Sequence, residues 1–114
     1  MIINRMGLVL TLAARMMCPH GASVIDPAPG RPDLLIEGSP VLLPTDPMMV
    51  EGCPNYAEGG TPQPCMMVQW TGYFGTFEEM AVLTQESSGM CLDAGGTPLG
   101  PVMIVTTGQS EVSA

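Results

Sequence analysis

Val9-Leu-Thr-Leu-Ala-Ala-Arg-Met-Met-Cys18 and Val82-Leu-Thr-Gln-Glu-Ser-Ser-Gly-Met-Cys91 are two copies of one pattern. Five of the ten positions are identical, and the distance from Val to Cys is the same. A looser third copy, Val41-Leu-Leu-Pro-Thr-Asp-Pro-Met-Met-Val-Glu-Gly-Cys53, is longer by three residues. Each copy runs from an apolar strand to a cysteine. Repeated units that cannot bury their apolar faces alone stack on one another around a common core. The pattern therefore predicts pseudo-symmetry, with each strand delivering a Cys to a shared point.

Turn chemistry separates the apolar runs. Asp26-Pro-Ala-Pro-Gly-Arg-Pro32, Pro44-Thr-Asp-Pro47, Gly59-Gly-Thr-Pro-Gln-Pro64 and Gly95-Gly-Thr-Pro98 combine proline's fixed φ with glycine's tolerance of φ > 0. Residues 7–17, 34–43, 65–70, 73–84 and 101–106 are the strand candidates. The stretch 76–86 is the one place a helix could form, but it is short and uncapped and reads as strand. Short strands punctuated by turns define a small all-β domain.

Composition agrees. The chain has 114 residues, enough for one domain over 1–114 with its core at about 8–106. Gly 14 and Pro 12 oppose helix interiors. Aromatic residues are only 4% and charged residues 12%, against a usual charged share of about 25%. The hydrophobic share of 46% excludes a disordered tail. The expected core is thin and built from small side chains, so something else must help to hold it. Trp70, Tyr73, Phe74 and Phe77 fall within eight residues and are expected in that core, or partly against a partner. The 11 Met read first as gap-filling core.

The net charge of −8 excludes whole classes of function. There is no Lys, and Arg5, Arg15 and Arg31 all lie in the first 31 residues. Nucleic-acid binding needs cations to displace phosphate counterions, and an anionic membrane surface makes the same demand. Neither partner is expected. Met6–Ala14 follows Arg5 and ends in small residues, as a secretory signal does. Its apolar run is short, holds Thr11 and meets Arg15 at once, so it reads as a strand. No run approaches the roughly 20 apolar residues that cross a bilayer.

Cys18, Cys53, Cys65 and Cys91 are the cysteines, and His20 is the one His. Thiolates and imidazole suit a tetrahedral Zn²⁺ site, with Fe²⁺ also possible. The spacing is not that of a zinc ribbon. Yet Cys18-Pro-His20-Gly21, Gly52-Cys53-Pro54 and Pro64-Cys65 all sit in tight turns, where strand ends can converge. The alternative is two disulfides in a secreted binding module. Reduced cytosolic thiols favour metal, and His20 would be idle in a disulfide fold. A catalytic Cys–His pair is a poor third reading, because the C-x-H spacing places the base badly. Glu78-Glu79 reads as a solvated turn with no acid–base partner. No enzyme activity is expected.

Cys18-Pro-His-Gly-Ala-Ser-Val24, then Ile36-Glu-Gly-Ser-Pro-Val-Leu42 leading to Gly52-Cys-Pro54, resembles the PAAR-repeat proteins. Thr61-Pro-Gln-Pro-Cys65 with Val68-Gln-Trp70, then Ser88-Gly-Met-Cys91 and Pro98-Leu-Gly-Pro101, is similar to the PAAR-like tip proteins of phage-tail-like contractile injection systems. The resemblance covers about residues 8–106 and rests on the order of the motifs. It implies a small cone of β-hairpins with pseudo-three-fold repeats. The base caps a trimeric spike protein as a single copy, and the apex holds one metal ion. Such a tip sharpens the spike and pierces a membrane without residing there. It implies a cytoplasmic protein, assembled into the particle and exported on firing. The implied ligands are His20, Cys53, Cys65 and Cys91, with Cys18 able to replace Cys65 or His20. This chain has one His where the family commonly has several, which leaves the choice of four among five donors open. It also has Ala22 where a second Gly is usual.

Overall fold

The computed structural model describes residues 7–72 and 74–114. Tyr73 and the start of the signal-like stretch, Met6, lie outside the described residues. The fold is all-β, with 43% strand and no helix among the described residues.

Seven strands form the main sheet. They are β1 (Arg15–Met17), β2 (Ser23–Ile25), β5 (Met49–Glu51), β6 (Met67–Gly72), β9 (Ser88–Leu92), β10 (Pro98–Pro101) and β11 (Met103–Thr106). Two small hairpins complete the set: β3 (Leu35–Ile36) with β4 (Ser39–Pro40), and β7 (Gly75–Phe77) with β8 (Met80–Val82). The order across the sheet is β10-β9-β6-β5-β2-β1-β11. Its two edge strands, β10 and β11, are separated in the chain by Val102 alone. One nearly continuous strand thus pairs β9 with its first half and β1 with its second. The sheet curls into a nearly closed barrel, a plan compatible with a small cone, and closure removes exposed sheet edges.

The three repeats meet at one end of this barrel. Leu10 N donates to Leu83 O at 2.9 Å, Leu83 N to Leu42 O at 2.9 Å, and Leu42 N to Leu10 O at 3.0 Å. These are the second residues of the three repeat copies, and their backbones close a triangle. The likeness extends outward from it. Ala14 N donates to Thr11 O, Asp46 N to Leu43 O, and Ser87 N to Thr84 O, one turn per repeat. Leu12 N donates to Pro40 O and Gln85 N to Leu8 O. The third equivalent position is Pro44, which has no N–H to give.

Strand alternation divides the core. Leu10, Leu42 and Leu83 point into the barrel with Met16, Val24, Met48, Val50 and Trp70. Val9, Val41 and Val82 point the other way, against Ile36 and Leu43 of the hairpin end. The bulky rings divide likewise. Trp70 and Phe74 join the barrel core, with Trp70 Nε1 donating to Met48 Sδ at 3.2 Å, while Phe77 packs on the second core.

The 76–86 stretch is a hairpin and then a turn. In the tip between β7 and β8, Glu78 has φ 50 and Glu79 φ 64. Two consecutive left-handed residues give a turn whose twist suits a hairpin, normally supplied by Asn-Gly. An L side chain there costs about 1–2 kcal/mol. Glu79→Gly is expected to raise the melting temperature by roughly 4 °C, read by differential scanning calorimetry. A fall would mean that the Glu79 side chain makes a compensating contact.

Candidate metal centre

Strand direction explains why the donors converge. β1 and β5 both run antiparallel to β2, so they point the same way. β6 runs antiparallel to β5. The ends of β1 and β5 and the start of β6 therefore share one end of the barrel. Cys18 follows β1, Cys53 follows β5, and Cys65 precedes β6. Leu10 lies before the start of β1, Leu42 before the start of β5 and Leu83 beyond the end of β6, so the Leu triangle is at the opposite end.

Local chemistry fixes each donor. Cys18 opens the β1–β2 turn: its N donates to Ala22 O at 2.9 Å, and Gly21 N returns to Cys18 O at 3.0 Å. Gly21 sits at φ 92, where a side chain would be strained. His20 is carried on this turn. Cys53 and Cys65 are the two ends of one loop. Gln63 N donates to Asn55 O, and Asn55 Nδ2 donates back to Gln63 O at 2.9 Å. That rung holds the two thiols side by side.

The donor atoms of Cys18, His20, Cys53 and Cys65 all lie within 4.8 Å of one another. Cys18 Sγ is 3.7 Å from Cys53 Sγ. His20 Nδ1 is 3.9 Å from Cys18 Sγ, 3.4 Å from Cys53 Sγ and 3.6 Å from Cys65 Sγ. Typical zinc–sulfur and zinc–nitrogen bonds in a tetrahedron place two sulfurs about 3.8 Å apart and sulfur and nitrogen about 3.5 Å apart. Four of the six donor pairs are close to these dimensions and all six lie within 4.8 Å, so the cluster could hold a metal ion.

Cys91 stands outside this group of four. β9 continues past it to Leu92, paired with β6 on one side and β10 on the other. Cys18 and Cys53 come after their strands have ended, and Cys91 does not. It is fully buried in the barrel core, as Cys18 and Cys65 are. Cys18, equivalent to Cys91 in the repeat, takes its place among the four.

The thiols respond to this crowding. Burial pushes Cys65 well above the ordinary thiol range, and the neighbouring thiols add to it. Burial likewise raises Cys91 to about 11. For Cys53 burial also acts upward, but the N–H groups of Cys65 and Asn55, together with the thiols of Cys18 and Cys65, bring it below the ordinary value. Three sulfurs this close can all be thiolates only with a cation between them. The four cysteines are free, and 3.7 Å is far from the roughly 2.05 Å of a disulfide.

Sequence reasoning treated Asp26 and Asp46 only as turn residues. They are 7% and 5% exposed, and each holds backbone N–H groups through its carboxylate. Each stands directly before a proline, a position that carries no sign of burial.

No protein-family model, no curated protein and no solved structure matches this chain. Fold and site define it as a small all-β barrel built on a pseudo-three-fold repeat, with a Cys₃His cluster at one end.

Proposed function

We propose that this chain is the metal-stabilised tip of a trimeric spike in a phage-tail-like contractile injection machine. The observation that carries the reading is the closed triangle of Leu10, Leu42 and Leu83. A single chain that caps a trimer must present three similar segments around one axis, and this one does so. The resemblance of its motifs to PAAR-like tips points the same way. At the other end, Zn²⁺ held by Cys18, His20, Cys53 and Cys65 would tie together two separate loops. Fe²⁺ suits the same donors less closely. A closed four-ligand site leaves no open position for substrate, as expected of a structural metal. A tip has force to survive rather than a reaction to perform, and metal binding energy becomes folding energy.

Native mass spectrometry tests the assignment. One metal per chain and a 1:3 complex with a trimeric spike protein encoded beside it are the expected results. A metal-loaded chain that joins no trimer, from a locus without sheath, tube or spike genes, would sink the spike-tip reading and leave the metal site standing.

A further inference from the structure

The loop after β2 and the turn of the second repeat are held together by two buried carboxylates. Asp46 Oδ1 accepts from Gly30 N at 2.9 Å and its Oδ2 from Leu43 N at 3.1 Å. Asp26 Oδ1 accepts from Ala28 N at 3.2 Å. Three of the four oxygens therefore have backbone donors. The fourth, Asp26 Oδ2, is buried without a partner, and no other buried side-chain N or O among the described residues is in that position.

A buried orphan oxygen is costly, and two adjacent buried carboxylates cannot both ionise cheaply. Among the described residues no cation relieves them. Arg31, the nearest in sequence, is committed to Asp33 at 3.0 Å and to Met80 Sδ. Arg15 is exposed on β1, whose buried neighbour Met16 lines a cavity beside Asp26. That cavity, of about 160 Å³, is otherwise lined by Leu12, Ala14, Val24, Ile25 and Leu42. Glu51 is exposed at the far end of β5, opposite Ser23. Among the described residues, Asp46 is the one titratable group that faces Asp26.

We propose that Asp26 and Asp46 hold one proton between them, and that this proton latches the loop after β2 to the turn of the second repeat. The hydroxyl of protonated Asp26 donates to Asp46 and gives Oδ2 its partner. Burial, first, and the neighbouring Asp46 hold Asp26 up at about 7. The ordinary value is 3.8, so the folded chain keeps a proton that the unfolded chain releases. This contribution to stability is complete below about pH 4. It diminishes as pH rises and is gone above about pH 7. The metal cluster responds in the opposite direction, because its donors must lose protons to bind. Acid therefore tightens one end of the barrel and loosens the other.

The test uses the full, metal-loaded chain. Carboxyl-carbon NMR is expected to show Asp26 titrating near neutrality with a linked change at Asp46. Amide-exchange protection at Gly30 and Leu43, corrected for intrinsic rates, is expected to fall about tenfold or more between about pH 6 and about pH 8.5. Asp26→Asn replaces the hydroxyl donor with an amide donor, and should keep that protection over the whole range. Asp46→Asn removes the neighbouring charge, and should move the Asp26 midpoint down. Should Asp26 titrate near 4, or should the wild type and Asp26→Asn lose protection in parallel, the shared proton does not exist. If Asp26→Asn fails to fold, the Asp46→Asn midpoint decides alone.

Discussion

Stripping the metal from the reduced protein with a chelator is expected to lower its melting temperature by roughly 20 °C or more. Structural zinc contributes about 10–16 kcal/mol in small zinc-folded peptides. A whole domain of this size has a net stability of only about 5–15 kcal/mol. The apolar core here is small, with Trp70 the one large ring in its buried set among the described residues. The metal ends would come apart first, since the Cys18–His20 turn and the Cys53–Cys65 loop belong to different parts of the chain. Cys53→Ser or Cys65→Ser should reproduce the chelator's effect and release the ion. Cys91→Ala should cost about 1 kcal/mol for a small cavity and leave one metal per chain. Elemental analysis beside calorimetry reads both numbers. Equal melting temperatures with and without chelator would remove the structural role. Metal loss in Cys91→Ala would put Cys91 in the ligand set.

The part of this molecule that was legible from sequence is the part built from identity. Val-Leu-Thr at 9–11 and at 82–84, with Val-Leu-Leu at 41–43, is visible because the triangle needs the same small β-branched and leucine side chains three times. The all-β class followed from the turns between those runs. The strands β2, β5, β9 and β10 were not among the candidates. β2 and β5 are three residues long, and β10 is Pro-Leu-Gly-Pro. Strands of three or four residues are too short to show a period; β2, β5 and β9 have partners on both sides in the sheet, and β10 has β9 on one side. The Glu78-Glu79 tip lacks the glycine that announces such a turn, so only its solvation was readable.

The site divides in the same way. All five donors were visible as residue types. Which four come together depends on where each strand stops, and the sequence does not mark those ends. Cys18 and Cys91 occupy the same place in the repeat. Continued pairing carries β9 one residue beyond Cys91, whereas β1 ends before Cys18. A difference of two residues in strand length therefore leaves Cys18 in the cluster and Cys91 outside it, whereas the resemblance favoured Cys91 over Cys18. Asp26 and Asp46 were hidden for a related reason. Proline-rich turns are normally exposed, and only the tertiary fold buries these two carboxylates.

Replacing each leucine of the triangle by alanine gives the second large effect. Leu10 and Leu83 are fully buried and Leu42 is 1% exposed. Leu→Ala at such sites costs about 2–5 kcal/mol, the upper values where the surroundings cannot close on the cavity. Here they cannot easily do so, because the three backbones are fixed to one another by hydrogen bonds at 2.9, 2.9 and 3.0 Å. Each variant should lose roughly 10 °C or more in melting temperature. Pseudo-symmetry adds a sharper demand: the three losses should agree within about 1 kcal/mol, although the residues lie far apart in the chain. Pairs should not add, since neighbours share one cavity. Leu35→Ala, at a side chain 51% exposed, should change stability by less than about 0.5 kcal/mol. All three core variants should still bind metal in the cold, because the cluster is at the other end of the barrel. A triangle variant as mild as Leu35→Ala would show that the repeat is a likeness of sequence without a shared structural load.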